Sequence, residues 1–368
     1  MVLERFRARV SARFSGIRRD SLATRPDPGM ATRSIPDPRR PGAFGAAHRD
    51  PGDAYAGVPI LQRPAWRNEV AVYFYLGGIS SGAFILGALA DLSGPRWRSL
   101  AETGYVVSFA AMIPCVPLLI HDLGRPSRFH HMLRIFKPSS PMNLGTWTLV
   151  AHSGIVTLRT AAILADRLPV LGALAQPLPE RLLGAAGLVP AVTLGGYTGV
   201  LIGTTSVPVW SRSPMLGGLF MASGVVTGAA AVSLTSILAK RDTAAERAAL
   251  GTIAMVAGLT ELGLLGGYLT TTGNLAAPLL RGMEGKLLAG AVGASGAALI
   301  AELAGARAHA RHRFLGAVAS VATLAGGAML RWAVIRAGHR SALDRDANLE
   351  AMRATERNPG WGQPRGNA

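Results

Sequence analysis

Between His121 and Trp147 the chain reads HDLGRPSRFHHMLRIFKPSSPMNLGTW. Imidazole, carboxylate, guanidinium and ammonium groups crowd this stretch: His121, Asp122, Arg125, Arg128, His130, His131, Arg134 and Lys137. Such groups hydrogen-bond to a ligand and take up or release protons. An apolar run, Ala101–Ile120, leads into the stretch, and another, Gly145–Ala165, leads out. Polar groups at the edge of hydrocarbon are costly, and they persist where they serve a pathway or a bound ligand. The loop is therefore the first place to look for chemistry.

What must position these groups is a set of membrane helices. The chain has 368 residues, of which 49% are hydrophobic and only 16% charged. Its mean hydropathy is +0.29. Eight apolar runs stand out, at roughly 69–90, 101–121, 145–165, 183–207, 215–239, 248–270, 287–306 and 314–335. Each has the length of about 20 residues that hydrocarbon about 30 Å thick requires. Lipid offers no partner for free backbone groups, so these runs must be helices. The fold expected is all-α and integral to the membrane, with eight transmembrane helices in two packed four-helix bundles. It occupies 55–340, between a basic N-terminal arm (1–54) and a polar C-terminal tail (341–368). GxxxG spacings at Gly78/Gly82, Gly195/Gly199/Gly203, Gly224/Gly228 and Gly263/Gly267 predict close helix crossings.

Composition also excludes. Cys115 is the single cysteine, so this protein has no means of holding an iron–sulfur cluster, which takes about four ligands, nor of forming a disulfide within itself. His121 and His152 are the histidines at or within the runs, too few for a haem between helices. No metal site and no catalytic residue is assigned. Residues 1–67 carry 13 Arg against six acids, without an apolar signal-like core before Val70. This arm reads as solvated or lying on anionic lipid, not as a nucleic-acid binder.

The loop resembles a signature of the NrfD/PsrC polysulfide-reductase membrane-subunit family. The matching residues are Asp122–Pro126, Ser140-Pro141-Met142 and Gly145-x-Trp147. Three further segments agree in order: Tyr55-x-Gly57-x-Pro59 with Trp66 before Glu69–Gly82; Tyr197-Thr198-Gly199 with Pro208-x-Trp210; and Leu330-Arg331-Trp332. The resemblance implies a quinone-reactive anchor in a bacterial cytoplasmic membrane. It would exchange electrons with menaquinone or ubiquinone and hold a four-cluster iron–sulfur subunit, which connects to a molybdopterin-type catalytic subunit.

With eight spans both termini share one face, here the tail side. Glu69, Tyr73, His121, Asp122, Arg125 and Tyr197 all fall toward it, and on the resemblance they are the quinone-binding candidates. Glu69 and Tyr73 are four apart, on one helical face. Each has a plainer reading: Glu69 as an interfacial residue, Tyr73 as part of an aromatic belt, Asp122 with Arg125 as a structural ion pair. His152, Arg159, Glu261 and Arg331 lie deeper and are candidates for a proton path. Glu302 is also deep. Arg159 and Glu261 fall at similar depth, and a structural pair between them is the simpler expectation.

Positive residues in the short loops favour tails outside the cell, whereas an arm with 13 Arg is hard to export. The expectation is that the termini are cytoplasmic. A transporter or ion-conducting protein is the alternative. It would show matched breaks in two repeats, and Pro114 and Pro117 interrupt the second run with no counterpart in the sixth. The purified protein is expected to show no haem or iron–sulfur absorbance. Stoichiometric metal in a folded sample would contradict this reading.

Overall fold

The computed structural model describes residues 61, 64, 66, 68–123, 125–167, 180–307 and 312–357. The N-terminal arm and the Tyr55-x-Gly57-x-Pro59 segment lie outside the described residues. Eight helices are long and apolar enough to cross a membrane: Asn68–Leu92, Pro95–Asp122, Pro141–Ala165, Glu180–Gly203, Leu216–Leu238, Ala244–Leu280, Gly282–Gly305 and His312–Leu343. We refer to them as the first to eighth spans. They agree in number and order with the eight apolar runs, and no strand occurs among the described residues.

Local chemistry sets where the spans start and break. The second is interrupted at Ile113–Pro114, between helices Arg98–Met112 and Cys115–Asp122. Pro114 and Pro117 supply no backbone N–H there. Thr243 and Glu246 open the sixth span with a reciprocal capping box, which satisfies two of the donors that a helix start leaves free. That span passes through a short turn at Gly273 (φ 58°). A polar helix, Arg345–Arg357, follows the eighth span.

The first span is the central post. It packs on the second, fourth and fifth, and the fifth packs in turn on the fourth, sixth and eighth. The third packs on the second and fourth, and the seventh packs on the eighth. The most apolar window of the first span is 78% buried, against 28% and 22% for the sixth and seventh. The two latter spans therefore present most of their surface to lipid or to another protein.

Glycine makes the central crossing possible. A Cβ on Gly82 would lie 2.8 Å from the Gly224 carbonyl carbon, and one on Gly228 would lie 2.6 Å from that of Gly82. A Cβ on Gly104 in the second span would come 2.7 Å from the Gly87 Cα. Gly199 meets the backbone of Leu216 and Gly217 in the same manner. These are close backbone approaches of the kind small residues permit between membrane helices. Gly263 departs from expectation, since a Cβ there would meet nothing within 4 Å. Its spacing to Gly267 is not a helix crossing, because that side of the sixth span carries no neighbouring helix at Gly263.

Gly82→Ala is expected to lower the melting temperature by several degrees, since overpacking costs about 1–3 kcal/mol and the obstacle is backbone that cannot turn aside. Gly263→Ala should be neutral or stabilising, because alanine favours helix by about 1 kcal/mol over glycine. Thermal denaturation in one detergent compares the two. Equal effects would remove the crossing as the reason for the glycines.

Candidate functional site

The loop between the second and third spans is a tied structure. Asn143, at the start of the third span, accepts from the Lys137 N–H at 2.7 Å and donates to the Met132 and Ile135 carbonyls at 3.1 and 3.0 Å. Trp147 Nε1 donates to the Ile135 carbonyl at 3.3 Å. One asparagine thus satisfies three backbone groups that helix and sheet leave unserved. The Pro126–Leu133 segment winds as a 3-10 helix. Arg125, Arg128, His130, His131, Arg134 and Lys137 are exposed on it and beyond it, together with Phe129, Ile135 and Phe136.

Under this loop lies a cavity of about 70 Å³. Tyr73 from the first span, Leu119 and Asp122 from the second, Met142 from the start of the third, and Tyr197 and Leu201 from the fourth line it, with Met132 from the loop and Trp66. The Tyr197 hydroxyl donates to the Pro141 carbonyl at 2.7 Å. The ring of Tyr197 lies where a Cβ of Gly145 would stand, so the glycine of Gly145-x-Trp147 makes room for the phenol. Trp66 stacks on Trp210 with centroids 5.5 Å apart, and Trp210 Nε1 donates to the Val334 carbonyl at 2.8 Å. The separated segments Trp66, Pro208–Trp210 and 330–334 therefore meet beside the cavity.

Of the six quinone-binding candidates, the structure brings Tyr73, Asp122 and Tyr197 to one cavity. Glu69 and His121 adjoin the lining residues Val70 and Asp122 in sequence but are not in the lining themselves; His121 Nδ1 is 3.8 Å from Glu69 Oε1 with the imidazole 70% exposed. Arg125 is exposed and outside the lining.

A second polar cluster occupies the same four spans, nearer the opposite face. His152 is fully buried. Its Nε2 is 3.0 Å from Ser80 Oγ, and Ser80 is also hydrogen-bonded to Ser108. Beyond it Arg159 binds Asp91 at 3.0 Å and Glu180 at 2.7 Å, with its guanidinium 4.6 Å above the Tyr105 ring. The expected Arg159–Glu261 pair does not form. The third span packs on the second and fourth, while the sixth packs on the fifth and seventh, so the two charges belong to different helix contacts. Arg159 instead faces a cavity of about 680 Å³, which Arg98, Glu102 and Arg181 also line. That cavity is an ionic vestibule in which Arg159 pairs with Asp91 and Glu180, and Arg98 with Glu102. The smaller one, apolar with a few convergent polar groups, has the character of a ligand site.

Sequence reasoning missed Asp91, Glu180, Tyr105, Ser80, Ser108 and Asn143. Asp91 and Glu180 had a signal, because each is an acid at a span end facing the depth of Arg159. Asn143 had none beyond its position in the loop.

Residues 60–341 match the family model described as Polysulphide reductase, NrfD. The chain belongs to the NrfD family. With its eight apolar helices, it is a multi-pass membrane protein. It is 31% identical over 188 residues to the C component of the polysulfide reductase of Wolinella succinogenes, covering 47% of this chain and 58% of that relative. It is 29% identical over 194 residues to protein NrfD of Escherichia coli K12, covering 48% and 61%. A putative dimethyl sulfoxide reductase membrane subunit of Halobacterium salinarum is 27% identical over 211 residues, covering 53% and 48%. The matched regions thus span less than two thirds of each of these relatives.

Arg159→Gln is expected to destabilise the protein by about 1–3 kcal/mol. That is below the roughly 3–5 kcal/mol for breaking a fully buried pair, since Asp91 and Glu180 are partly exposed. Arg159→Lys should recover only part of this loss, because an ammonium cannot bridge two carboxylates and stack on Tyr105 together. Melting temperatures of the three forms test it. Full recovery by lysine would mean that charge alone matters.

Proposed function

We propose that this chain is the membrane subunit of a multi-subunit oxidoreductase, and that it exchanges electrons with the quinone pool at the Tyr73–Asp122–Tyr197 cavity. The observation that carries this is the convergence of one carboxyl and two phenols, from three different spans, on an apolar cavity at one membrane face. The relatives named as components of polysulfide and dimethyl sulfoxide reductases support it.

A quinone carries two electrons and two protons between its oxidised and reduced forms. Its head needs hydrogen-bond partners at two carbonyls and an apolar wall for the ring, and this cavity supplies both. At about 70 Å³ it is below the about 300–1,000 Å³ of a site enclosing a drug-sized ligand. A quinone head is larger than this, so on this reading the cavity opens to admit it while the isoprenoid tail stays in lipid. Met132 and Met142 are unbranched and adjust to an occupant. The Tyr197 oxygen, already donating to Pro141, remains able to accept. Asp122 holds or yields a proton at the head, and Glu69 with the exposed His121, which adjoins Asp122 in sequence, connects it to water. Either menaquinone or ubiquinone satisfies this chemistry.

The exposed loop combines Arg125, Arg128, Arg134 and Lys137 with Phe129, Ile135 and Phe136. Charge mixed with large apolar side chains is the make-up of a protein interface. On this reading it receives a four-cluster iron–sulfur subunit that leads to a molybdopterin-type catalytic subunit. The chain lies in a bacterial cytoplasmic membrane with this face and the termini toward the cytoplasm. Tyr73 and Ser80 are two turns apart on one face of the first span. His152 and Arg159 then form a polar line toward the opposite face, available for proton transfer.

The test pairs dye-linked and quinone-linked rates on the assembled complex. Asp122→Asn, Tyr73→Phe and Tyr197→Phe should each cut the quinone-linked rate by about tenfold or more, a barrier change of about 1.4 kcal/mol, while donor oxidation by an artificial acceptor persists. Tyr197→Phe also loses the bond to Pro141, worth roughly 0.6–2 kcal/mol in a membrane, so its melting temperature is recorded alongside. Normal quinone-linked rates in all three would place the site elsewhere. Joint loss of both rates and of the partner would make the residues structural.

A further inference from the structure

The last four spans carry buried charge that the quinone cavity does not use. Arg331 is 1% exposed in the middle of the eighth span. It donates through Nη2 to the Phe220 carbonyl at 3.0 Å and lies 4.2 Å above the Phe220 ring. Its Nε and Nη1 have no hydrogen-bond partner among the described residues. Glu261 in the sixth span is 5% exposed, with the charge of Arg331 acting on it and Ser223 and Ser295 beside it. Buried donors without a protein partner require water, and a buried ionisable pair at this depth calls for a pathway.

Two cavities lead to this pair from the face opposite the termini. The outer one, about 350 Å³, is lined by Arg247, Gly251, Thr252, Met255, Glu302 and His312. At its mouth Asp242 binds Arg313 at 2.6 Å and also Arg247. Burial opposes the charge of Asp242, but these two guanidiniums prevail and hold its carboxyl below the usual range. The Asp242 carboxylate beside Arg247 therefore stays ionised at neutral pH. The inner cavity, about 20 Å³, is lined by Gly258, Glu261, Ser295, Glu302 and Thr323. It exceeds the roughly 10–15 Å³ one water needs, and it offers polar partners.

Glu302 lines both cavities. It stands over Gly251, where a Cβ would come 2.9 Å from its Oε2. Ser295 and Glu302 are seven residues apart on one face of the seventh span, as are Gly251 and Gly258 on the sixth. The carboxyl is thus the shared wall between the outer cavity and a chamber large enough for one water that ends at Glu261.

We propose that the last four spans contain a proton half-channel, open to the face opposite the termini, in which Glu302 relays protons between the outer cavity and Glu261 beside Arg331. A proton from outer water binds a Glu302 oxygen. It then leaves through the inner water to a Glu261 oxygen, restoring the Glu302 charge and neutralising Glu261. The reverse sequence returns it, and no electron moves. The proposal does not rest on the quinone assignment, since none of its residues lines that cavity.

The test uses the full-length protein with Cys115→Ala, so that each introduced cysteine is the single thiol. Ser295→Cys and Thr323→Cys place thiols in the inner chamber, Val256→Cys places one on the exposed side of the sixth span, and Phe136→Cys marks the tail-side face. Silver ion, close to water in size, is added to one side of sealed vesicles, and thiols left unblocked are counted with a permeant maleimide. Silver is expected to block Ser295→Cys and Thr323→Cys from the face opposite the termini about tenfold faster than Val256→Cys. Adding Glu302→Leu should reverse this by making a hydrophobic constriction. Blocking from the tail side, or at the Val256→Cys rate in both variants, overturns the channel.

Infrared spectroscopy tests the relay. The carboxylic acid carbonyl band that Glu261→Gln removes should shift on transfer to D2O, and about tenfold more slowly in Glu302→Gln. An unchanged rate overturns the relay. Loss of the band on adding sodium chloride overturns the proton in favour of a metal cation.

Discussion

The contact between Gly82 of the first span and Gly224 of the fifth holds the rest in place. Hydrocarbon gives helices no hydrophobic reason to associate, so close packing has to supply the attraction. At this crossing the two backbones touch directly, with Gly228 extending the contact. Through it the first span becomes the most enclosed helix. Along that one helix lie Tyr73 at the tail-side cavity, Ser80 beside His152, and Asp91 in the ionic vestibule. Tyr73 and Asp91 are separated by about 27 Å of helix rise. Tyr75, on another face, donates to the Leu324 carbonyl of the eighth span at 2.8 Å.

Two buried arginines show two ways of keeping a charge in a membrane. Arg159 has two carboxylates from other spans and the face of Tyr105, leaving only its Nε without a hydrogen-bond partner among the described residues. Its pairing is dense, and its cavity opens to one membrane face. Arg331 has one carbonyl, one aromatic face and a carboxylate that acts on it through a serine-lined space. The first arrangement locks helices together. The second leaves hydrogen-bonding capacity unspent in a place where water is the remaining partner.

The two membrane faces differ accordingly. On the tail side the cavity is small and mostly apolar, with phenols and a carboxyl aimed inward. On the other side both cavities are larger and lined by paired ions. The first environment is apolar with a few hydrogen-bonding groups, and the second is ionic. The proposed quinone site and the proposed half-channel thus belong to different sets of spans, the first four and the last four, and open toward opposite faces.

Much of this was legible in the sequence alone. Hydropathy sufficed for eight helical spans, because lipid leaves a backbone no other way to satisfy its polar groups. The loop motif sufficed to single out Asp122, and with it Tyr73 and Tyr197, because those residues belong to a recognisable pattern. Proline chemistry sufficed for the break in the second span. The partners of Arg159 were not legible, nor were the idle spacing of Gly263 and the bridging position of Glu302. Residue spacing reports which side chains share a helix face, but it is silent on which helix lies opposite that face. That choice rests on interhelical packing, where a glycine meeting a backbone and a glycine meeting nothing are written with the same letter.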